Sequence, residues 1–250
     1  MTAGKFFLTK RIKLVQLADL IINDLNLNRN DIVLVNASLS RFNLIDSTPT
    51  DLIHLLKMIV GTQGIILMPG ISADTDHDPS TGRSENKVKG LAKDELINSI
   101  FRQLPDTIQS LLPSQSFSAW GSKAKLMTEV QQQSELDAEN NDLFFRLFKY
   151  QAKIIGIGVP LNDLSLYPVP EKTNKLNNPV PMEDVSITSS GDGSGTHFLN
   201  KFQNIIRSKS QPEISEIFTE DEVKVISKRG IPFFRIDAGK AFSKIILTTK

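Results

Sequence analysis

The chain has 250 residues, no cysteine, and 29 Lys and Arg set against 28 Asp and Glu, a formal net charge of +1. That length can bury a substantial core as one domain, and the charge balance gives no reason to expect nucleic acid or a membrane as partner. The missing thiols exclude disulfides, thiolate metal sites and a cysteine nucleophile.

Lys5 to Lys13 is a short apolar run with basic flanks, below the length of a signal segment. No stretch approaches the ~20 apolar residues of a membrane span. A cysteine-free chain with these features is expected in the cytoplasm. Leu14, Leu17, Ala18, Ile21, Ile22 and Leu25 recur at helical spacing. Ile32 to Val35 is a continuous apolar run, as a strand covered on both faces requires. Ser38 and Ser40 follow in a turn, where such hydroxyls commonly cap local backbone. Ser47 to Asp51 reads as a helix start, and Leu52, Leu55, Leu56 and Ile59 supply its buried face. His54 lies beside that stripe and is expected on the helix surface.

Ile65 to Met68 is a second buried strand, stopped by Pro69-Gly70. Asp74, Asp76, His77 and Asp78 carry metal-ligand chemistry but match no established spacing, so a solvated loop is expected there. Asp94 to Leu104 forms a helix. Ser110 to Gly121 then alternates small hydroxyls with apolar residues, holds the one tryptophan, and reads as a half-buried strand. Lys123 to Asn141 is polar and begins as a helix; Leu143, Phe144, Leu147 and Phe148 give a further helical face. Ile154 to Val159 is a third buried strand.

Beyond Pro160 the texture becomes turn-rich. Gly191 to Gly195 lacks the preceding strand and the Lys-Ser/Thr ending of a phosphate loop and reads as a connector before His197. Phe198 to Ile206 and Ile214 to Ile226 are read as helices, and Ile231 to Ile246 as a strand, a turn at Gly239, and a last element. Alternating helix and strand patterns predict an α/β fold, a layered αβα architecture with a mostly parallel central sheet. One domain over 1–250 is expected, with a core of about 12–171 and a smaller C-terminal α+β extension, 172–250, packed on it. A substrate site would then lie beyond the carboxyl ends of the strands, where Ser38, Ser72 and the turn after Val159 fall.

Several segments, taken in order, resemble the aminoglycoside 3-N-acetyltransferase family. Ser110, Pro113, Ser116, Ala119 and Gly121 match a strand reading Arg-Ser-x-His-Pro-x-His-Ser-x-Ala-Ala-x-Gly. Phe101 to Pro105 resembles its Phe-Arg-x-x-Pro helix end. Asp31 to Leu39 resembles its Gly-Asp-x-Val-Leu-Val-His-Ser-Ser-Leu strand and turn. Gly64 to Pro69 and Lys153 to Val159 resemble two further strands. The family's histidines are replaced: Asn36, Leu112 and Gln115 stand at three of them. Its Asn-Thr-x-x-His-x-x-Glu element falls on Asn162 and Asp163. The His lands on Leu166, or on Tyr167 with one insertion, and Glu171 lies near the lost Glu. Asp142-Leu143 replaces its Ser-Pro turn.

The resemblance implies transfer of an acyl group from acetyl-CoA, or another acyl-CoA, to an amine on a sugar, with no metal. It implies that Ser38, Ser40, Ser110 and Ser116 hold the coenzyme, and that Asn36, Ser72, Asn162 and Tyr167 meet the substrate. Asp163 or Glu171 would replace the base if desolvation raised its pKa; each also reads as an ordinary turn residue. The alternative is a catalytically inactive relative that binds a ligand or partner. A small-molecule amine is the expected partner, and a homodimer or pairing with an active relative is open.

Overall fold

The apolar runs beginning at Ile32, Ile65 and Ile154 lie side by side at the middle of a seven-stranded sheet. The computed structural model describes residues 11–38, 44–70, 95–110, 117–129, 143–164, 201–202 and 204–247. The first half gives β1 (Ile12–Lys13), α1 (Leu14–Asp19), a π-helical turn (Leu20–Asp24), β2 (Ile32–Ala37), β3 (Ile45–Asp46) and α2 (Pro49–Val60). Next come β4 (Ile65–Pro69), α3 (Glu95–Arg102), β5 (Thr107–Gln109), β6 (Phe117–Trp120), α4 (Lys125–Thr128), α5 (Leu143–Lys149) and β7 (Lys153–Ile157). A 3-10 turn at Leu161–Asp163, helical residues 201–202 and 204–208 (α6), α7 (Gln211–Ile217), β8 (Val223–Lys228), β9 (Ile231–Asp237) and α8 (Ala238–Leu247) complete it.

The order across the sheet is β5-β6-β4-β2-β7-β9-β8. It is a mixed sheet, which corrects the expectation of a mostly parallel one. Only β2–β4 and β2–β7 are parallel, while β4–β6, β5–β6, β7–β9 and β8–β9 are antiparallel. The cause is connection geometry. A helical crossover such as α2 returns the chain parallel, whereas β8 and β9 are joined by a two-residue turn. There Arg229 and Gly230 both take positive φ, 53° and 76°, the geometry that favours a tight antiparallel hairpin.

Alternation along the central strands divides the apolar side chains between two cores. Leu34, Leu67 and Ile154 point into one with Leu147 of α5, Phe202 of α6 and Phe242 of α8. Phe202 meets Phe218 and Phe242 edge-on, with ring centroids 5.8 and 5.4 Å apart. Val33, Val35, Ile66 and Ile155 point the other way, onto Leu17 of α1, Ile21 of the π-helical turn and Leu56 of α2. Each fully buried Leu, Ile or Phe contributes about 1.5–3 kcal/mol, which explains why these runs need no polar face.

Local signals set the boundaries. Thr48 caps α2: its hydroxyl accepts from the Asp51 N–H at 3.1 Å, while the Asp51 carboxylate accepts from the Thr48 N–H at 2.8 Å, a capping box. Pro49 occupies the first turn, where its missing N–H is harmless. His54 is exposed, as its position beside the stripe requires.

Two C-terminal expectations need correction. The span 214–226 is not one helix: α7 stops at Ile217, and Glu222 folds back to accept from the Thr219 N–H at 2.8 Å. The β-branched Val223, Val225 and Ile226 then run in β8. Likewise no turn occurs at Gly239, which lies inside α8 and packs against Gln151, where a Cβ would stand 3.2 Å from Cγ. β8 and β9 belong to the same sheet as the earlier strands.

Candidate active site at the carboxyl edge of the parallel strands

β2 is the point where connection direction reverses. From it the chain crosses through α2 to β4 on one side, and later returns as β7 on the other. In open α/β sheets the crevice outside such a switch point is where ligands bind. At this edge β2 ends in Asn36 and Ala37, with Ser38 next, and β7 ends in Gly156 and Ile157, with Gly158 next. The Ser38 N–H extends the ladder by donating to the Ile157 carbonyl at 3.0 Å. Gly158, at φ 74°, turns the chain out of β7 and donates its N–H to the Pro232 carbonyl at 2.9 Å.

The chain then forms the Leu161–Asp163 turn, with the Asp163 N–H donating to the Pro160 carbonyl at 3.0 Å. Leu161 and Leu164 are buried and anchor this turn, so Asn162 and Asp163 are the residues left exposed. The Asp163 carboxylate has no hydrogen-bond or ionic partner among the described residues.

Asn36 is the unusual residue of the edge. It sits directly across the β2–β7 ladder from Gly156, partly exposed as a whole residue. Its carboxamide nitrogen, Nδ2, is nevertheless covered and has no hydrogen-bond partner among the described residues. Leaving such a donor unsatisfied costs about 1–3 kcal/mol, and an orphan of this kind in a native fold calls for an explanation. Neutral and bearing N–H donors, it offers a substrate oxygen what the imidazole of the resembled pattern would offer when protonated.

Ser110 follows β5 at this same edge and donates its N–H to the Phe117 carbonyl at 2.8 Å. It lies three strands from Ser38 in the sheet order, about 14 Å away at ordinary strand spacing. That separation suits an elongated ligand better than a compact one. Asn36, Ser38, Ser110, Asn162 and Asp163 are thus on one edge. Ser40, Ser72, Ser116, Tyr167 and Glu171 lie outside the described residues, as do Asp74, Asp76, His77, Asp78 and His197. No cluster of metal-ligating side chains occurs among the described residues.

Trp120, the one tryptophan, is at the other end. It pairs with Ile66 near the start of β4, and the Lys57 ammonium lies 4.6 Å from its ring centroid. Burial pushes Lys57 below its ordinary pKa, partly offset by the Asp106 carboxylate. The tryptophan therefore fastens α2 to the sheet and takes no part in the candidate site.

Sequence reasoning passed over Phe234. Its ring occupies the space above Gly156, with Cε1 only 2.0 Å from where a Cβ would be. It floors the edge beside Asn36. The signal was present in the sequence as Gly156-Ile157-Gly158, in which the first glycine makes room for a ring and the second makes the turn.

With this geometry in place, comparison with known proteins becomes informative. The family model described as aminoglycoside 3-N-acetyltransferase matches residues 34–241. Among solved structures, AAC-IIIb in a binary complex with CoASH superposes with a TM-score of 0.60 at 17% identity, covering 95% of this chain and 97% of that one. AAC(3)-IIb gives 0.61 at 14% identity, covering 95% and 96%. Sisomicin-bound AAC-VIa gives 0.59 at 18% identity, covering 95% and 98%. No curated protein sequence matches. The structural likeness at such identity establishes the fold, and the family model, spanning most of the chain, establishes the lineage: this chain belongs to the aminoglycoside 3-N-acetyltransferase family.

Proposed function

We propose that the chain is an acyl-CoA-dependent N-acyltransferase acting on an amino group of an aminoglycoside-like sugar, through a site that lacks the histidines of the resembled pattern. The observation that carries the reading is the orphaned Asn36 carboxamide at the carboxyl edge of β2. A solved family structure with CoASH and two with sisomicin support the pairing of coenzyme and amino sugar.

In this reading the acyl-CoA lies along the edge, with Ser38 and Ser110 contributing to its grip together with Ser40 and Ser116. The neutral amine attacks the thioester carbonyl, forming the C–N bond and pushing charge onto the carbonyl oxygen. Asn36 Nδ2–H donates to that oxygen as the charge develops. Collapse breaks the C–S bond and releases the CoA thiolate, which takes up the nitrogen's proton from the carboxylate that first collects it. Asn162, Ser72 and Tyr167 face the acceptor, and Asp163 or Glu171 collects the amine proton.

A general base is worth about 10²–10⁴ in rate, or roughly 3–5 kcal/mol. Alignment of two bound substrates is worth about 7–11 kcal/mol. Replacing an imidazole therefore slows transfer without abolishing it. A preorganised donor to the developing oxyanion recovers about 3–4 kcal/mol, comparable with what the lost base supplied.

The test is direct because the chain contains no cysteine: every thiol titrated in an acetyl-CoA and aminoglycoside mixture comes from released CoA. The expected result is amine-dependent thiol release, with CoA at 100 Kd stabilising the fold by about 2.7 kcal/mol. Absence of both stabilisation and thiol release at millimolar coenzyme would falsify the acyl-transfer reading.

A further inference from the structure

Far from the candidate site, at the end of the sheet where β2 begins, α2 and the π-helical turn enclose an open groove of about 380 Å³, lined by Ile22, Leu27, Leu55, Met58 and Ile59 with Arg29 on its rim. Met58 is 69% exposed and Ile22 42% exposed, and Val15, on the helix that leads into the groove, is 79% exposed. Isolated exposed apolar residues need no explanation, but a contiguous set bordering a groove marks an interaction surface.

The charges around it say what covers it. Val15, Asp19 and Ile22 are spaced i, i+4 and i+7 and share one flank of the helix. Asp19 accepts from Asn23 Nδ2 at 2.7 Å and has no cationic partner among the described residues. Arg29 lies across the end of α2, its Nε 3.4 Å from where a Cβ on Gly61 would be, and has no carboxylate partner among the described residues. One surface thus displays an apolar ridge bearing a carboxylate next to an apolar groove bearing a guanidinium. The two charges do not pair within one molecule. A surface that presents both halves of one contact is complementary to itself, which is the requirement of a two-fold interface.

We propose that this face joins two copies of the chain around a two-fold axis. The ridge of each copy, with Val15 and Ile22, seats beside the Met58 groove of the other, and Asp19 meets the other copy's Arg29. Stable interfaces bury about 1,200–2,000 Å² in total, so the helix flank must be included along with the groove. Such a dimer leaves the carboxyl edges of both sheets pointing away from the contact and open to ligands.

Sedimentation velocity on the full chain from about 1 to 50 μM is expected to show a species of twice the 27.8 kDa chain mass. Met58→Glu and Val15→Lys should each give monomers with unchanged far-UV circular dichroism. Asp19→Lys and Arg29→Glu should each weaken association about tenfold or more, and the double variant should recover most of that loss, the mark of direct coupling. A monomeric wild-type chain overturns the proposal. A dimer indifferent to all four substitutions also overturns it, because the contact then lies elsewhere. Loss of acyl transfer plays no part in this readout, so the interface stands or falls independently of the proposed activity.

Discussion

Asn36 stands opposite Gly156 across the central parallel ladder, a buried amide donor facing a residue with no side chain to satisfy it. The space that Gly156 leaves is filled by the Phe234 ring. A hydrogen-bonding group with no partner among the described residues is therefore fixed at the carboxyl end of β2.

Function and stability should pull in opposite directions at this position. Asn36→Leu removes the orphan and is expected to stabilise the fold by about 1–2 kcal/mol, raising Tm by roughly 2–4 °C per kcal/mol for a chain of this size. The same change should lower acyl transfer about 10²-fold with CoA affinity preserved. Thermal melts, calorimetry and thiol release measure all three. A variant both less stable and equally active would show that Asn36 is a packing residue.

Gly156 has no room to grow. Gly156→Ala would drive its methyl into the Phe234 ring, since the ideal Cβ position is 2.0 Å from Cε1 and 2.4 Å from Cδ1. Overpacking of this kind costs about 1–3 kcal/mol, and here the clash is with a fully buried ring. Urea denaturation should show that loss, and Phe234→Leu in the same chain should recover part of it. Full stability in the single variant would contradict the packing described.

The opposite edge is tied by an ion pair. Lys153 Nζ lies 2.7 Å from Asp31 Oδ2 and donates to the Asn26 carbonyl at 2.6 Å, and Asp31 also accepts from the Asn28 N–H at 2.6 Å. Removing one partner of a largely buried pair strands the other. Lys153→Met should cost about 2 kcal/mol, within the range for a lost hydrogen bond to a charged group. Because this edge is remote from the candidate site, kcat should be nearly unchanged at a temperature where the variant is folded.

Glu213 gives a pH signature. Hydrogen bonds from the Ser210 hydroxyl and N–H hold its carboxyl down from 4.5 to about 2, with Lys209 assisting. A depressed carboxyl contributes stability at pH above its unfolded value, and that contribution is lost as pH falls through the folded one. The window is therefore about 4.5 to 2. Glu213→Gln should flatten the acid limb of the stability profile there and leave it unchanged relative to wild type in slope near neutrality. An identical acid limb in both proteins would show that the capping box of α7 has no hold on the equilibrium.

The strands that carry the site were legible because Ile32 to Val35, Ile65 to Met68 and Ile154 to Val159 are apolar without alternation, and only a doubly covered strand accommodates that. Strand direction was not. Phe117 to Trp120 would carry the same pattern running either way, and its reversal relative to β4 is set by where the chain re-enters the sheet. At Ile214 to Ile226 helical spacing persisted across a real boundary, because the break is made by Glu222 folding back on Thr219, a contact that hydrophobic periodicity does not register. At the site, Ser38 and Asn36 were found by position in the resembled pattern. The unmet Nδ2 became visible only with Gly156 and Phe234 placed beside it.

The mixed sheet makes its two edges unequal in how they can change. At the edge where β2, β4 and β7 begin, short turns such as 61–64 and 150–152 hold the strands in place. At the opposite edge the described chain reaches Ser38, Gly70, Ser110 and Leu164. The parallel pairing of β2 with β4 and β7 is complete before those points. A scaffold paired this way can be inherited intact while the sequence beyond its strand ends changes.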